Sequence, residues 1–401
     1  MKFYQKLIIF LVLCFILGFI IAFLTDLGIT QTFLSSLGMI PWYLYFIGFV
    51  LTFYITLTIH ELGHLVAFVI QGVKIRALYL TIFVFVKEDR KIKFKIYPKL
   101  WVLLGGLVIP NLNPIESKED YDQTVHIFRR SLITAPITTI AYMVLSILAF
   151  VLGIILMNPS LVLGLMIIHM IYVVLLSSVY IYTFKLSTQS LYGDFVAYQK
   201  MKDDPIFTFA QISQYTEFAS HESENEHRFI FDYATDILKV APHMHDFFIQ
   251  HIMLYYLDGI IKHDYPIDSV VESKINKINM RSFVRNEQGL FAYHGIILHD
   301  YKLKNVEKAY QKYEEVIKLK RKNINHQLMT YLTYKTAHQM HLGDHQSFLE
   351  NKHNIFIGDH WIFEPVIDPY QSTLDDLAKL PFVEYVCEVA LDQDMMSMNE
   401  N

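Results

Sequence analysis

Four stretches of this chain are long and apolar enough to dictate how the rest can fold: Leu7 to Leu24, Trp42 to Ile70, Ser131 to Met157 and Leu161 to Phe184. Each is close to or beyond the roughly 20 residues a helix needs to cross a bilayer. Hydrocarbon offers no water to bond stray N–H and C=O groups, so such runs fold as helices. The 401 residues are 53% hydrophobic and only 18% charged, against about 25% charged in ordinary soluble domains. The bias is uneven. Residues 1–200 hold 15 Lys/Arg against 9 Asp/Glu, and residues 201–401 hold 19 against 30. An apolar, basic half and a polar, acidic half belong in different solvents, which predicts a transmembrane domain over 1–202 and a cytoplasmic helical domain over 203–401. This composition excludes a disordered chain, a collagen-like one and a disulfide-stapled secreted domain. Cys14 and Cys387 lie in unlike surroundings, so no bridge is expected. A net charge of −5 gives no reason to expect nucleic acid.

Lys2 and Lys6 precede the first run, and no small-residue cleavage site appears before Thr25, so the run reads as a retained span. Residues 72–99 carry eight Lys/Arg, the largest basic cluster of the apolar half, whereas 25–41 carry none. The positive-inside rule then puts the basic segment and both termini in the cytoplasm. Alternation through Lys91-Ile92-Lys93-Phe94-Lys95-Ile96 predicts a strand, with Leu78–Val86 as its hairpin partner. That hairpin suits an unwound peptide seeking an edge strand as well as it suits an anionic lipid surface. Leu100–Ile109 is too short to span, and Gly105, Gly106 and Pro110 interrupt it, so it reads as re-entrant or interfacial. Asn111 and Asn113 flank prolines and read first as turn residues. Beyond Asp203 the texture is helical and soluble. Leu290–Gly295 with Asn305–Leu319 resembles one tetratricopeptide-like helix–turn–helix unit, but no second copy follows at a period of 34, so a generic helical array fits equally well. The expected fold is mainly α: a polytopic bundle of about four transmembrane helices with a small β-hairpin or re-entrant insertion, then the helical C-terminal domain.

His60-Glu61-Leu62-Gly63-His64 lies inside the second apolar run. On a helix, residues four apart sit about 40° around the axis and about 6 Å along it, so both imidazoles can meet one tetrahedral metal. Glu61 projects beside them, where it can take a proton from metal-bound water. Zinc lowers the pKa of its bound water to about 7, which supplies what a membrane lacks, hydroxide at neutral pH. With 18 histidines in the chain such a short motif can arise by chance. Its setting argues otherwise, because an ionisable triplet in an apolar helix is costly unless coordinated, paired or wetted. A satisfied polar cluster is the weaker reading.

With Ile59 before it and Leu65-Val66-Ala67 after it, the motif resembles the site-2 protease family of intramembrane zinc metalloproteases. A basic strand-forming segment, a Gly-Gly pair, two further spans and an Asp-bearing motif follow in the same order, over about residues 42–205. The resemblance implies that His60 and His64 bind zinc, that Glu61 is the catalytic acid/base, and that the Asp of an Asp-Gly-type motif completes the ligands. Asp194 is the positional match, in Ser190-Leu191-Tyr192-Gly193-Asp194-Phe195, although here the glycine precedes the aspartate. Other candidates are Asp258, followed by Gly259 but in the polar half, the pair Asp203-Asp204 before Pro205, and His169 within the fourth span.

The expected activity is hydrolysis of a peptide bond in a membrane-inserted protein or peptide. His60 stands 18 residues after Trp42, about 27 Å along a helix, which places the site toward the cytoplasmic leaflet. The expected setting is a bacterial cell membrane, with lipid and substrate as partners and a further protein partner on the C-terminal domain. A catalytically inactive membrane-anchored interaction protein is the main alternative, suggested by the missing Asp-Gly order. A transporter fits poorly, since there are four spans and no internal repeat, and without a glycine-rich phosphate loop an ATP-driven pump is unsupported.

Overall fold

The computed structural model describes residues 15, 25–26, 28–88, 91–103, 105–187, 192–216, 223–319, 324–342, 362–366 and 379–382. Apart from Phe15, the expected span Leu7–Leu24 lies outside them, as do Cys14 and Cys387. Gly28, in the left-handed conformation that glycine adopts without strain, leads into α1, Ile29–Gly38. Pro41, whose fixed φ suits a helix entrance, then opens α2, Trp42–Ile70. No charge and no proline interrupts α2 before the HELGH run, so it continues for 29 residues. Its buried face reads Thr52, Thr56, Leu57, His60, Glu61, Gly63, Ala67 and Phe68, while Phe46, Leu51, Ile55 and Val66 stay exposed. Polar inside and apolar outside is the pattern of a helix whose outer solvent is lipid.

Four strands follow: β1 (Lys74–Leu80), β2 (Phe83–Glu88), β3 (Lys91–Ile96) and β4 (Gly106–Asn111). All pair antiparallel, in the order β3-β2-β1-β4. The alternation read over 91–96 is strand β3, and its partner is β2, with Phe85 opposite Phe94. Two corrections to the sequence reading follow. The expected hairpin is half of a four-stranded sheet, and most of the segment read as re-entrant is a 3-10 turn, Pro98–Leu103, followed by β4. Main-chain pairing with β1 satisfies that apolar stretch where a membrane crossing could not. Pro110, which has no N–H to give a ladder, is tolerated because β4 is an edge strand. At the β1–β2 turn the Thr81 hydroxyl lies 3.1 Å from the Tyr54 hydroxyl, which ties the sheet to α2.

The third expected span, Ser131–Met157, is the apolar part of a longer helix, α3, Lys118–Leu156. Helix begins early because residues 118–130 keep helical spacing, with Glu119 and Asp120 in the first turn where the helix dipole favours acids. The fourth, read as 161–184, is α4, Leu161–Thr183, capped by the Ser160 hydroxyl accepting from the Leu163 N–H at 3.2 Å. Among the described residues three helices are long and apolar enough to cross a membrane: α2, α3 and α4. Then come α5 (Asp194–Asp203) and α6 (Pro205–Thr216).

The chain divides into two compact units. The first is residues 1–114, 118–208 and 214–220, and the second is 115–117, 209–213 and 221–401. The second contains α7 (Glu224–Val240), α8 (Phe247–His263), α9 (Ser269–Ile275), α10 (Met280–Phe283), α11 (Glu287–Lys302), α12 (Val306–Ile317) and α13 (His326–Gln339). Side-chain caps start most of them: Ser223, Asp246, Asp268, Asn279, Asn286 and Asn325 each accept a backbone N–H of the first turn. Helix α11 is buried on nearly every side, and α8, α12 and α13 pack on it. Its Asp300, 3% exposed, pairs with Lys308 at 3.0 Å and Lys312 at 2.6 Å from α12. The stretch that resembles a tetratricopeptide unit is the α11–α12 pair.

Candidate metal centre

Gly63 decides how closely α2 and α3 approach. A Cβ there would stand 2.6 Å from the Ala135 Cα and 2.9 Å from the Thr138 Oγ1, so any larger residue would force the helices apart. Contact at Ala135 brings its neighbours one turn either way, Ser131 and Thr139, against the two histidines. His60 Nδ1 lies 3.0 Å from Thr139 Oγ1, and His64 Nδ1 lies 3.0 Å from the Ser131 carbonyl oxygen. A carbonyl only accepts, so His64 Nδ1 carries the hydrogen. The Thr139 hydroxyl donates to the Ala135 carbonyl at 3.1 Å, so it accepts from His60 Nδ1. Both neutral imidazoles therefore turn the lone pair of Nε2 inward, the arrangement by which outer hydrogen bonds prepare histidine for a metal.

Asp194 faces them from the first turn of α5. Its Oδ2 is 3.3 Å from His60 Nε2 and 3.5 Å from His64 Nε2. It is buried and meets no donor in hydrogen-bonding geometry. Ligand atoms of His60, His64 and Asp194 all lie within 4.8 Å of one another. Three inward lone pairs repel unless a cation sits among them, and two nitrogens with one carboxylate oxygen form a donor set that suits zinc. Burial alone pushes the Asp194 carboxyl up, but the His64 and His60 rings, when positive, outweigh it and hold the group below the usual carboxylate range.

The Gly-Asp order has a steric cause. A Cβ on Gly193 would fall 2.2 Å from the Thr183 carbonyl oxygen and 2.5 Å from the Phe184 backbone carbon. Only glycine lets the returning chain pass over the end of α4 and present Asp194. Phe195 is occupied in packing, its ring edge-on to Phe184 at 5.5 Å, while Phe184 stacks on His60 at 5.1 Å.

Glu61 is 4% exposed, and its Oε2 is buried without a partner. The Gly106 backbone of β4 abuts its carboxylate. A Cβ on Gly106 would lie 2.4 Å from Glu61 Cγ and 2.6 Å from the Tyr79 carbonyl oxygen. Gly106→Ala is therefore expected to displace the Glu61 carboxylate while leaving the metal ligands in place. A shift near 1 Å can cost roughly 10²-fold in rate. The check is cleavage rate together with zinc content, and an unchanged rate would show that the cradle has no role. On the far wall Tyr215 of α6 packs against Phe128, and burial, with the Glu61 and Asp194 charges, pushes its hydroxyl up to about 12.

The other candidates stand elsewhere. His169 accepts or donates within a helix-bridging node, its Nδ1 3.0 Å from Thr52 Oγ1 and its Nε2 2.9 Å from the Tyr142 hydroxyl. His169→Ala is expected to keep full metal content and to lower the melting temperature in detergent by a few degrees. Hydrogen bonds between membrane helices average about 0.6 kcal/mol each. Loss of zinc from that variant would contradict the ligand geometry. Asp258 is surface-exposed on α8 and paired with Lys262 at 2.9 Å. Asp203 is held by Gln199, and Asp204 caps α6 through the Phe207 N–H at 3.0 Å. Sequence reasoning passed over Ser131 and Thr139, and took Gly106 only as an interruption of an apolar run. The recoverable signal was two hydroxyl residues eight apart, with a small residue between, in an otherwise apolar helix.

Metal-ready imidazoles on an apolar helix, closed by a carboxylate from a neighbouring one, form a donor set of the kind that a membrane-embedded metal-dependent hydrolase requires. A family model described as peptidase family M50, the site-2 protease family, matches residues 48–347, and the chain belongs to that family. The family is one of membrane metallopeptidases, generally zinc-dependent, and the three apolar helices fit an integral membrane protein. No curated protein and no solved structure matches the chain.

Proposed function

We propose that this chain is an intramembrane zinc endopeptidase that cuts a membrane-inserted protein or peptide near the cytoplasmic leaflet. The observation that carries the reading is the convergence of His60 Nε2, His64 Nε2 and Asp194 Oδ2 beside an unbonded carboxylate oxygen of Glu61. Zinc held there supplies Lewis acidity and water activated at neutral pH. His60, His64 and Asp194 hold the ion. Glu61 takes the proton of the attacking water and returns it to the leaving amine, and the Gly106 cradle fixes which way its carboxylate points. The outer edge of β4, which begins at Gly106, can receive an unwound peptide as an added strand, main chain to main chain. Membrane-peptide profiles of cells carrying the native chain and the Glu61→Gln chain test this. Precursors are expected to accumulate in the variant. Identical profiles, with zinc bound in both proteins, would favour the inactive interaction protein instead.

The same reading puts both termini in the cytoplasm, because the Lys/Arg-rich segments all fall on one side. Reporter fusions at Lys93 should read internal and at Pro159 external, and an external signal at Lys93 would overturn the topology. The acidic helical C-terminal region we assign to recruitment of a protein partner. A chain lacking 221–401 that still processes the same precursors at the native rate would count against that role.

A further inference from the structure

Hydroxyls in the apolar helices find acceptors. Thr134 bonds the Arg130 carbonyl at 2.6 Å, Ser178 the Val174 carbonyl at 2.7 Å, and Tyr172 the Tyr45 carbonyl at 3.2 Å. Tyr180 of α4 departs from this, for its hydroxyl is buried and has no hydrogen-bond partner among the described residues. The Thr56 and Ser177 hydroxyls share that condition, but short side chains can rotate onto a carbonyl of their own helix. A tyrosine hydroxyl, at the far end of a ring, cannot. Burying a hydroxyl unbonded is unfavourable, so its position calls for a partner that arrives with the reaction.

The surroundings identify that partner. The Tyr180 ring runs parallel to the His60 imidazole, 5.9 Å away and 2° from coplanar orientation. One turn on, Phe184 stacks on the same imidazole. The donor's ring thus lies against the HELGH face, and its hydroxyl is buried there. A neutral phenol there has one use in hydrolysis that His60, Glu61 and His64 do not cover.

On the peptidase reading, we propose that Tyr180 is a further catalytic residue, donating a hydrogen bond to the scissile carbonyl oxygen as negative charge gathers on it. As the water oxygen bonds the carbonyl carbon, the C=O π pair moves onto the carbonyl oxygen, and it re-forms the C=O bond as the C–N bond breaks. Glu61 holds the water's proton and passes it to the amide nitrogen as the C–N bond breaks. The Tyr180 proton stays on Tyr180 throughout. A donor that meets only the charged oxygen favours the transition state over the bound substrate.

The test uses the full-length chain, zinc-loaded in detergent, as native protein and as Tyr180→Phe, which keeps the ring on His60. Two probes are titrated: a Leu-Ala phosphinic pseudopeptide, whose tetrahedral P–O group mimics the charged oxygen, and the matched peptide hydroxamate, which engages the metal without that group. The variant is expected to keep zinc content and hydroxamate affinity within twofold and to lose about 10²-fold in phosphinate affinity, the scale of one missing oxyanion donor. Ser177→Ala, a control one turn away, should leave all three unchanged. Equal phosphinate affinity in native and Tyr180→Phe protein would overturn the donor role while sparing the peptidase reading. Parallel loss of zinc and hydroxamate would show that Tyr180 only positions His60, and would overturn it too. A native chain that binds neither zinc nor either probe would remove the peptidase reading and this inference with it.

Discussion

Purified Glu61→Gln protein is expected to retain its zinc and to lose cleavage by about 10²–10⁴-fold, the range that a positioned acid/base contributes. Glutamine keeps the shape, so the strand–helix contact at Gly106 survives. An amide cannot take the proton of the attacking water or deliver it to the leaving amine. His60, His64 and Asp194 form the candidate ligand group without Glu61, so the metal has no reason to leave. Zinc content by elemental analysis, read beside turnover, separates the two effects. Native-level turnover in Glu61→Gln would exclude it as the proton carrier.

Asp194→Asn tests the other half of the site. Asparagine preserves the steric fit below Gly193 but removes the negative charge that offsets a divalent ion, and leaves two histidines that cannot close a tetrahedron with a single water. Losing an outer partner of a metal ligand costs roughly 10–100-fold in affinity, and losing the ligand itself should exceed that. Cleavage should vanish with the metal, while the protein remains inserted. Asp258→Asn, at an exposed helix pair with Lys262, should change neither. Full occupancy in Asp194→Asn would mean that another group closes the site.

Much of this was legible because membrane and motif impose strong local rules. Apolar length marks helices over 42–70 and 161–183, and the HELGH spacing alone aims two imidazoles at one point. The strand at 91–96 is written in alternating lysine and apolar residues. Leu100–Ile109 misled, since an apolar run near a membrane gives no sign of whether lipid or a neighbouring strand will satisfy its backbone. The start of α3 was missed for a related reason: apolar content marks where a helix enters lipid, and says nothing of where helix begins.

The sequence by itself determined that apolar helices bury a polar HELGH face, and that an acidic helical region follows, because periodicity and hydropathy are local and every residue carries its own share. Only the tertiary structure decided what stands around that face. Gly63 admits Ala135 and so brings Ser131 and Thr139 to the outer nitrogens of the histidines. Gly193 slips past the end of α4 to aim Asp194 inward, and Gly106 of β4 abuts Glu61. Each is a close approach between separate elements, made possible by the absence of a side chain, and a missing side chain leaves no periodicity to read.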